Sequence, residues 1–187
     1  MIKQFKSIGF SGGECMIYYD EILKLMHLAH SKGLRITLST NGFWANTQES
    51  ANKIIDELID AGLSSMTVSV DEYHQKYIPI ENIKNILIAS RLKSIAVYLG
   101  SLCTKTHHGM EKLLSSLDNH VLNVAIIQAP VQPVGMAKKK IDESEYIYAE
   151  KIHYKKCIEM SDLSVFPSGD CFPCCSQSGL TPALYLG

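Results

Sequence analysis

The chain has 187 residues and a mass of 20.8 kDa, enough for one domain with a short appendage. Lys and Arg number 18 against 19 Asp and Glu, a formal net charge of −1, which excludes the electrostatic footprint of a nucleic-acid or anionic-membrane binder. Apolar residues are 46% and charged residues 20%, which excludes disorder; no apolar run reaches the ~18 residues of a spanning helix, residues 1–6 lack a secretory h-region, and a cytoplasmic location is expected.

Short β-rich runs recur along the chain. Ile8-Gly9-Phe10 comes first, then Ile36-Thr37-Leu38, Met66-Thr67-Val68, Ile95-Ala96-Val97-Tyr98 and Val124-Ala125-Ile126-Ile127. Taken from Ser7, Arg35, Ser65, Ser94 and Asn123, their starts are 28, 30, 29 and 29 residues apart. A strand with its crossover helix needs roughly 30 residues, so the spacing predicts successive parallel strands. The repeat is one of structure, without internal sequence identity.

Helical spacing fills the intervals. Asp20 is placed to cap a helix carrying Leu23, Met26 and His30, with Gly33 as its stop. Asn46 and Glu49 have the spacing of a capping box, Ala51, Ile54, Ile55, Leu58 and Ile59 mark one face, and Gly62 comes after them. Ile83, Ile86 and Leu87 mark a third helix, and Met110, Leu113, Leu114 and Leu117 a fourth. These stripes are core faces packed on a sheet.

The predicted class is α/β, with a parallel sheet that is either doubly wound or curved into part of a (βα) barrel. Either way, functional groups gather at the carboxyl ends of the strands. Those ends read Ser11-Gly12-Gly13-Glu14, Ser39-Thr40-Asn41-Gly42, Ser69-Val70-Asp71-Glu72-Tyr73-His74 and Gly100-Ser101, and the fifth runs on to Gly135. Small and polar groups therefore converge on one rim, as a ligand with several polar atoms requires. In Gly12-Gly13-Glu14, two glycines allow close backbone approach, and the carboxylate can accept charge-assisted bonds from an ammonium group. His74 lies on this rim and is a candidate to touch substrate. Trp44 is expected to pack its loop, and His107-His108 to form a loop or cap pair. No catalytic triad, phosphate loop or zinc-protease helix is present.

Residues 137–156 read as a linker or surface helix, with Lys138-Lys139-Lys140 followed by Asp142, Glu143 and Glu145. Of six cysteines, Cys15 and Cys103 stand alone, whereas Cys157, Cys171, Cys174 and Cys175 share the tail. Without an export signal, a metal site is a better reading of the tail than a disulfide framework. Free thiols, zinc and an iron–sulfur cluster are the alternatives. Val165-Phe166-Pro167-Ser168-Gly169-Asp170 predicts a small hairpin with a Ser-Gly turn.

The run Ile8-Gly9-Phe10-Ser11-Gly12-Gly13-Glu14, then Gly33-Leu34-Arg35-Ile36-Thr37-Leu38-Ser39-Thr40-Asn41-Gly42, resembles the radical S-adenosylmethionine (radical SAM) superfamily. Ser69-Val70-Asp71-Glu72-Tyr73-His74 and Gln132-Pro133-Val134-Gly135 are similar to later segments of many members. The likeness covers about residues 6–136. It implies a partial (βα)6 TIM-like barrel over residues 1–136. Gly12, Gly13 and Glu14 would hold the amino group of S-adenosylmethionine. Ser39, Asn41, Ser69 and Asp71 would line its ribose and carboxylate, and Gly100 and Val134 would lie near its adenine.

The resemblance also implies a 4Fe–4S cluster on a Cys-x3-Cys-x2-Cys loop, and no such triplet occurs in the 187 residues. The chain is therefore expected to be amino-terminally truncated, lacking the first strand and cluster loop, and inactive alone. An exposed first strand edge would favour association. Cys157, followed after eleven residues by Gly169 and after four more by Cys174, resembles the opening of the SPASM auxiliary-cluster domain of peptide-modifying radical SAM enzymes. Residues 157–187 would then be a partial cluster segment with Cys157, Cys171, Cys174 and Cys175 as metal ligands. The competing expectation is a non-catalytic binding module with zinc in the tail. A peptide or protein is the expected substrate, without nucleic-acid or membrane partners.

Overall fold

The computed structural model describes residues 5–107, 110–148, 162–174 and 182–187. Five strands form one sheet: β1 (Ser7–Phe10), β2 (Arg35–Thr40), β3 (Leu63–Ser69), β4 (Ala96–Cys103) and β5 (Ala125–Pro130), in the order β1-β2-β3-β4-β5. The pairs from β1 to β4 are parallel. Helices α1 (Tyr19–Ser31), α2 (Gln48–Asp60), α3 (Ile80–Leu92) and α4 (Met110–Leu117) make the crossovers. Every step moves in one direction across the sheet. Right-handed crossovers stepping one way put every helix on the same face, as in a barrel wall rather than a doubly wound sheet.

Burial agrees with that topology. Met26, Ile55, Leu58, Ile83, Ile86 and Leu117 of the helices form a single core with Ile36, Leu38, Met66, Val68 and Leu99 of the strands. The parallel register aligns Phe10, Leu38, Met66 and Val97 across the sheet on this face. On the opposite face the register aligns Gly9 with Thr37 and Ser65, Ser39 with Thr67 and Tyr98, and Ser69 with Gly100. Parallel sheets covered on both faces are apolar throughout. A face of hydroxyls and glycines is instead built to meet water or a polar ligand.

The ends of the elements refine the sequence reading. Strands β4 and β5 start two residues after Ser94 and Asn123, because both adopt left-handed backbone, φ 57° and 65°, on leaving a helical turn. Strand β3 starts at Leu63, two residues before Ser65. Asp20 does not cap α1 but sits inside its first turn. The cap is Glu14, whose side chain accepts from the Met16 amide at the head of a 3-10 turn, Cys15–Tyr18, leading into α1. The capping box of α2 is not Asn46 with Glu49 but Thr47 with Ser50. Asn46 accepts from the Ser50 hydroxyl instead. Tyr19 of α1 donates a hydrogen bond to Glu57 of α2, tying two adjacent crossovers.

Gly42 fixes the turn after β2. Its φ is 78°, and a Cβ there would lie 2.7 Å from the Ile86 side chain of α3. The buried Asn82 amide donates to the carbonyls of Gly42 and Phe43 at 3.0 and 3.2 Å. Left-handed strain and overpacking each cost roughly 1–3 kcal/mol. Gly42→Ala should accordingly lower stability by about 2–4 kcal/mol, read as a drop in urea midpoint at unchanged m-value.

The chain divides into two compact units, Met1–Cys103 with His107–Ala129, and Thr104–Thr106 with Pro130–Gly187. Within the second, α5 (Gly135–Lys140) carries the three lysines exposed at its end. Strands β6 (Ser164–Val165) and β7 (Cys171–Phe172) pair antiparallel about a turn with Gly169 at φ 91°, the hairpin expected there. Cys171 exchanges backbone hydrogen bonds with Leu186 and Gly187, and Phe172 packs edge-on against Phe166 and Tyr185. No helix among the described residues is long and apolar enough to cross a membrane.

Candidate functional site

Glu14 leaves the tip of β1 and reaches the tip of β2. Its Oε1 accepts from the Thr40 hydroxyl at 2.9 Å and the Met16 amide at 3.1 Å, and its Oε2 accepts from the Asn41 amide at 2.7 Å. A carboxylate offers about four lone-pair positions. Three are filled by the protein, leaving Oε2 able to take one more donor. Gly12 and Gly13 precede it with exposed backbone and no atom within 4 Å of a notional Cβ, and Gly12 has φ 129°. The diglycine turn thus leaves open space beside an oriented carboxylate.

Thr40 is the hub of this corner, and nothing in its local sequence marks it as a site residue. It is 2% exposed, donates to Glu14, and accepts from the Gly42 amide at 3.1 Å and the Trp44 indole at 3.0 Å. Trp44 is buried and packs the loop, as expected. Asn41, half-buried, accepts from the Phe43 amide with Oδ1.

The tip of β3 supplies the second anchor. Asp71 is 2% exposed. Its Oδ1 accepts from the amides of Tyr73 and His74, both at 3.0 Å, and from His74 Nδ1 at 2.8 Å. Its Oδ2 accepts from the Leu102 amide of β4 at 3.3 Å. Burial pushes the Asp71 carboxyl upward, but the His74 hydrogen bond and charge, with the His74 and Leu102 amides, outweigh it and hold it below its ordinary range. The bond to Asp71 lifts the His74 imidazole above its ordinary value against the opposing effect of burial, helped by the charges of Asp71 and Glu14. Asp71 therefore fixes the imidazole with Nδ1 as donor, and Nε2 has no protein partner among the described residues. Nearby, Glu72 pairs with His107 at 3.8 Å, and Lys76 lies 5.6 Å over the Tyr73 ring.

Asn41, Tyr73, His74, Tyr77 and Ile78 line a cleft of about 350 Å³. Glu14, Asn41 and the Asp71–His74 pair thus come together at the strand tips. Ser39 and Ser69 face the polar side of the sheet, half-buried, and Gly100 pairs with Ser69 there. Val134 caps α5 in the second unit.

The family model of the radical SAM superfamily matches residues 1–106. The chain belongs to the radical SAM superfamily. It is also 30% identical over 185 residues to the "Putative peptide biosynthesis protein YydG" of Bacillus subtilis (strain 168), a match spanning 94% of this chain and 56% of that relative. The chain thus spans about half the length of the curated relative it matches. Among solved structures, a domain of pyruvate-formate lyase-activating enzyme from Bacteroides vulgatus ATCC 8482 aligns over 66% of this chain and 98% of its own, with TM-score 0.43 and 9% identity. A 2,3-dimethylmalate lyase of the PEP mutase/isocitrate lyase superfamily aligns over 69% and 50%, with TM-score 0.47 and 9% identity.

Membership implies S-adenosylmethionine and a 4Fe–4S cluster. The residues at the strand tips fit the first, whose ammonium matches the open position on Glu14. They do not fit the second. Cys15 donates to the Ser39 carbonyl, and burial, then the charge of Glu14, push its thiol up to about 11, so it is not a ready thiolate ligand. Cys103 is buried and donates to the Ala129 carbonyl. No group of three or more His, Cys, Asp or Glu among the described residues is arranged to hold a metal. Of the tail cysteines, Cys171 and Cys174 are half-buried, and Cys157 and Cys175 lie outside the described residues.

Proposed function

We propose that residues 1–136 form the S-adenosylmethionine-holding part of a radical SAM enzyme that modifies a peptide or protein. Residues 157–187 would form an auxiliary-cluster segment joined to it through 137–156. The observation that carries this reading is Glu14, tethered by Thr40 and Asn41 at the mouth of the polar sheet face with one carboxylate position open. Gly12 and Gly13 give the methionine end room to approach, and Ser39, Asn41 and Ser69 supply polar groups beside it. The printed name of the 30%-identical relative supports a peptide substrate. With S-adenosylmethionine, a cluster that the described residues do not hold would supply reductive generation of a carbon radical. This chain's own residues bind and orient the cofactor. No Cys-x3-Cys-x2-Cys occurs in the 187 residues, and this reading takes cleavage of S-adenosylmethionine to need cluster ligands beyond them.

Binding tests the reading. The chain should bind S-adenosylmethionine in calorimetry, and Glu14→Gln should weaken it at least tenfold, because a charge-assisted bond is worth roughly 1.5–3 kcal/mol. Unchanged affinity would remove Glu14 from the site. Anaerobic reconstitution with iron and sulfide tests the tail: an iron–sulfur absorption band that Cys171→Ser weakens supports the auxiliary cluster. Zinc retention without iron uptake would favour a binding module instead.

A further inference from the structure

The cofactor site makes no use of the lysine run of α5. Within the second unit, Pro133, Lys138, Lys139, Lys140, Tyr146 and Tyr148 are among the residues lining an open cavity of about 690 Å³. The three lysines are exposed, and none forms an ion pair among the described residues. The acids that come next in the sequence are engaged elsewhere. Asp142 accepts from the amide and hydroxyl of Ser144, and Glu145 accepts from the hydroxyls of Thr104 and Thr106. The carboxyl end of a helix favours a cation. Three cations with those neighbouring acids engaged leave positive charge for an outside anion.

The walls of the cavity specify that anion. Tyr146 is 4% exposed, and its hydroxyl donates to the Ala137 carbonyl, which fixes the ring in place. Tyr148, its ring centroid 6.2 Å from that of Tyr146, is 59% exposed. An exposed aromatic ring beside cations suits an apolar side chain adjoining carboxylates. Consecutive helical residues point about 100° apart, so the lysines spread their charge along a stretch of ligand rather than grip one small anion. Asp142 and Glu143 also line the cavity, and no arginine is among its lining residues. The two acids would repel a continuous polyanion such as RNA, and the fork that recognises phosphate bidentately is missing. In a peptide, carboxylates alternate with neutral residues whose amides can donate to Glu143.

We infer that this cavity docks an acidic segment of the peptide substrate, with Lys138, Lys139 and Lys140 pairing its carboxylates and Tyr148 covering an adjoining apolar side chain. The inference rests on the peptide-modifying reading and names the kind of peptide the chain would hold.

The test is fluorescence anisotropy of the full chain with a short fluorescein-labelled peptide rich in glutamate and leucine, beside its glutamine counterpart and a single-stranded RNA of equal charge. Exposed ion pairs are individually weak, so three together should favour the glutamate peptide by about tenfold, a preference that shrinks as salt is added to the wild type. Lys138→Gln, Lys139→Gln and Lys140→Gln combined should remove that preference. Substitution of the same three by arginine should keep it, and Tyr148→Ala should weaken both peptides alike. Urea midpoints and S-adenosylmethionine affinity should be unchanged in all of these variants. Equal affinity of the wild type for both peptides, an undiminished preference after the three substitutions by glutamine, or RNA bound as tightly as the glutamate peptide overturns the inference and leaves the cofactor site standing. A wild type that prefers the glutamate peptide but does not bind S-adenosylmethionine overturns the proposed cofactor site and supports this one.

Discussion

Thr40→Val is expected to cost about 2–4 kcal/mol of stability and to abolish measurable S-adenosylmethionine binding. The substitution conserves shape and deletes one hydroxyl. That hydroxyl donates to Glu14 and accepts from the Gly42 amide and the Trp44 indole, in a site 2% exposed to solvent. Buried groups left without partners cost roughly 1–3 kcal/mol each, reduced where water or a neighbour can reach them. Glu14 would keep the Asn41 and Met16 amides but lose the bond that fixes its Oε1 from β2. The measurement is paired: a urea midpoint for stability, and calorimetry on the folded fraction for binding. Thr40→Ser supplies the control. It keeps the hydroxyl, so binding should survive even though the lost methyl lowers stability modestly. A Thr40→Val protein that binds normally would show that Glu14 needs no support from β2.

How much of this corner is legible in a bare sequence depends on the range over which each residue acts. The strand period is readable because a parallel crossover needs a minimum length of chain, and the observed strands begin within two residues of the expected positions. The two-residue offsets arise where Ser94 and Asn123 take left-handed backbone, a choice that neither residue type announces. Glu14 stands out because an acid beside two glycines is unusual at a strand end. Thr40 does not, since threonine at the end of a strand reads as β propensity. Its hub role exists only once Glu14, 26 residues earlier, folds over it. Asn82 is hidden in the same way, because its partners at Gly42 and Phe43 are 40 and 39 residues away. The caps misread for a local reason. Asn46 with Glu49 and Thr47 with Ser50 have identical spacing, and only backbone geometry decides which pair closes the box. Asp71 is readable as either a ligand contact or a cap, and its Oδ1 does accept from the amides two and three residues on.

Because Asp71 supports His74 from behind, Asp71→Asn should be more disruptive than its near-isosteric geometry suggests. A neutral amide placed there can accept through one atom only. Its NH2 group must then oppose either the Leu102 amide or the three donors shared by Tyr73 and His74. The loss of a buried, hydrogen-bonded charge facing a cation, with one amide left unpaired, amounts to about 2–4 kcal/mol near pH 5.5. The pH dependence separates this from generic damage. The wild-type His74 value is raised, so its contribution is full below its ordinary value of 6.5 and is lost as pH climbs through the raised one. The Asp71 value is lowered, so its contribution is full above its ordinary 3.8 and is lost as pH falls through the lowered one. The pair therefore supports the fold most between those two ordinary values, and the variant should lose most stability in that window and less at pH 9. Its His74 imidazole should titrate at lower pH than in the wild type, by NMR. A loss of equal size at every pH would assign Asp71 a purely structural role and leave His74 to orient itself.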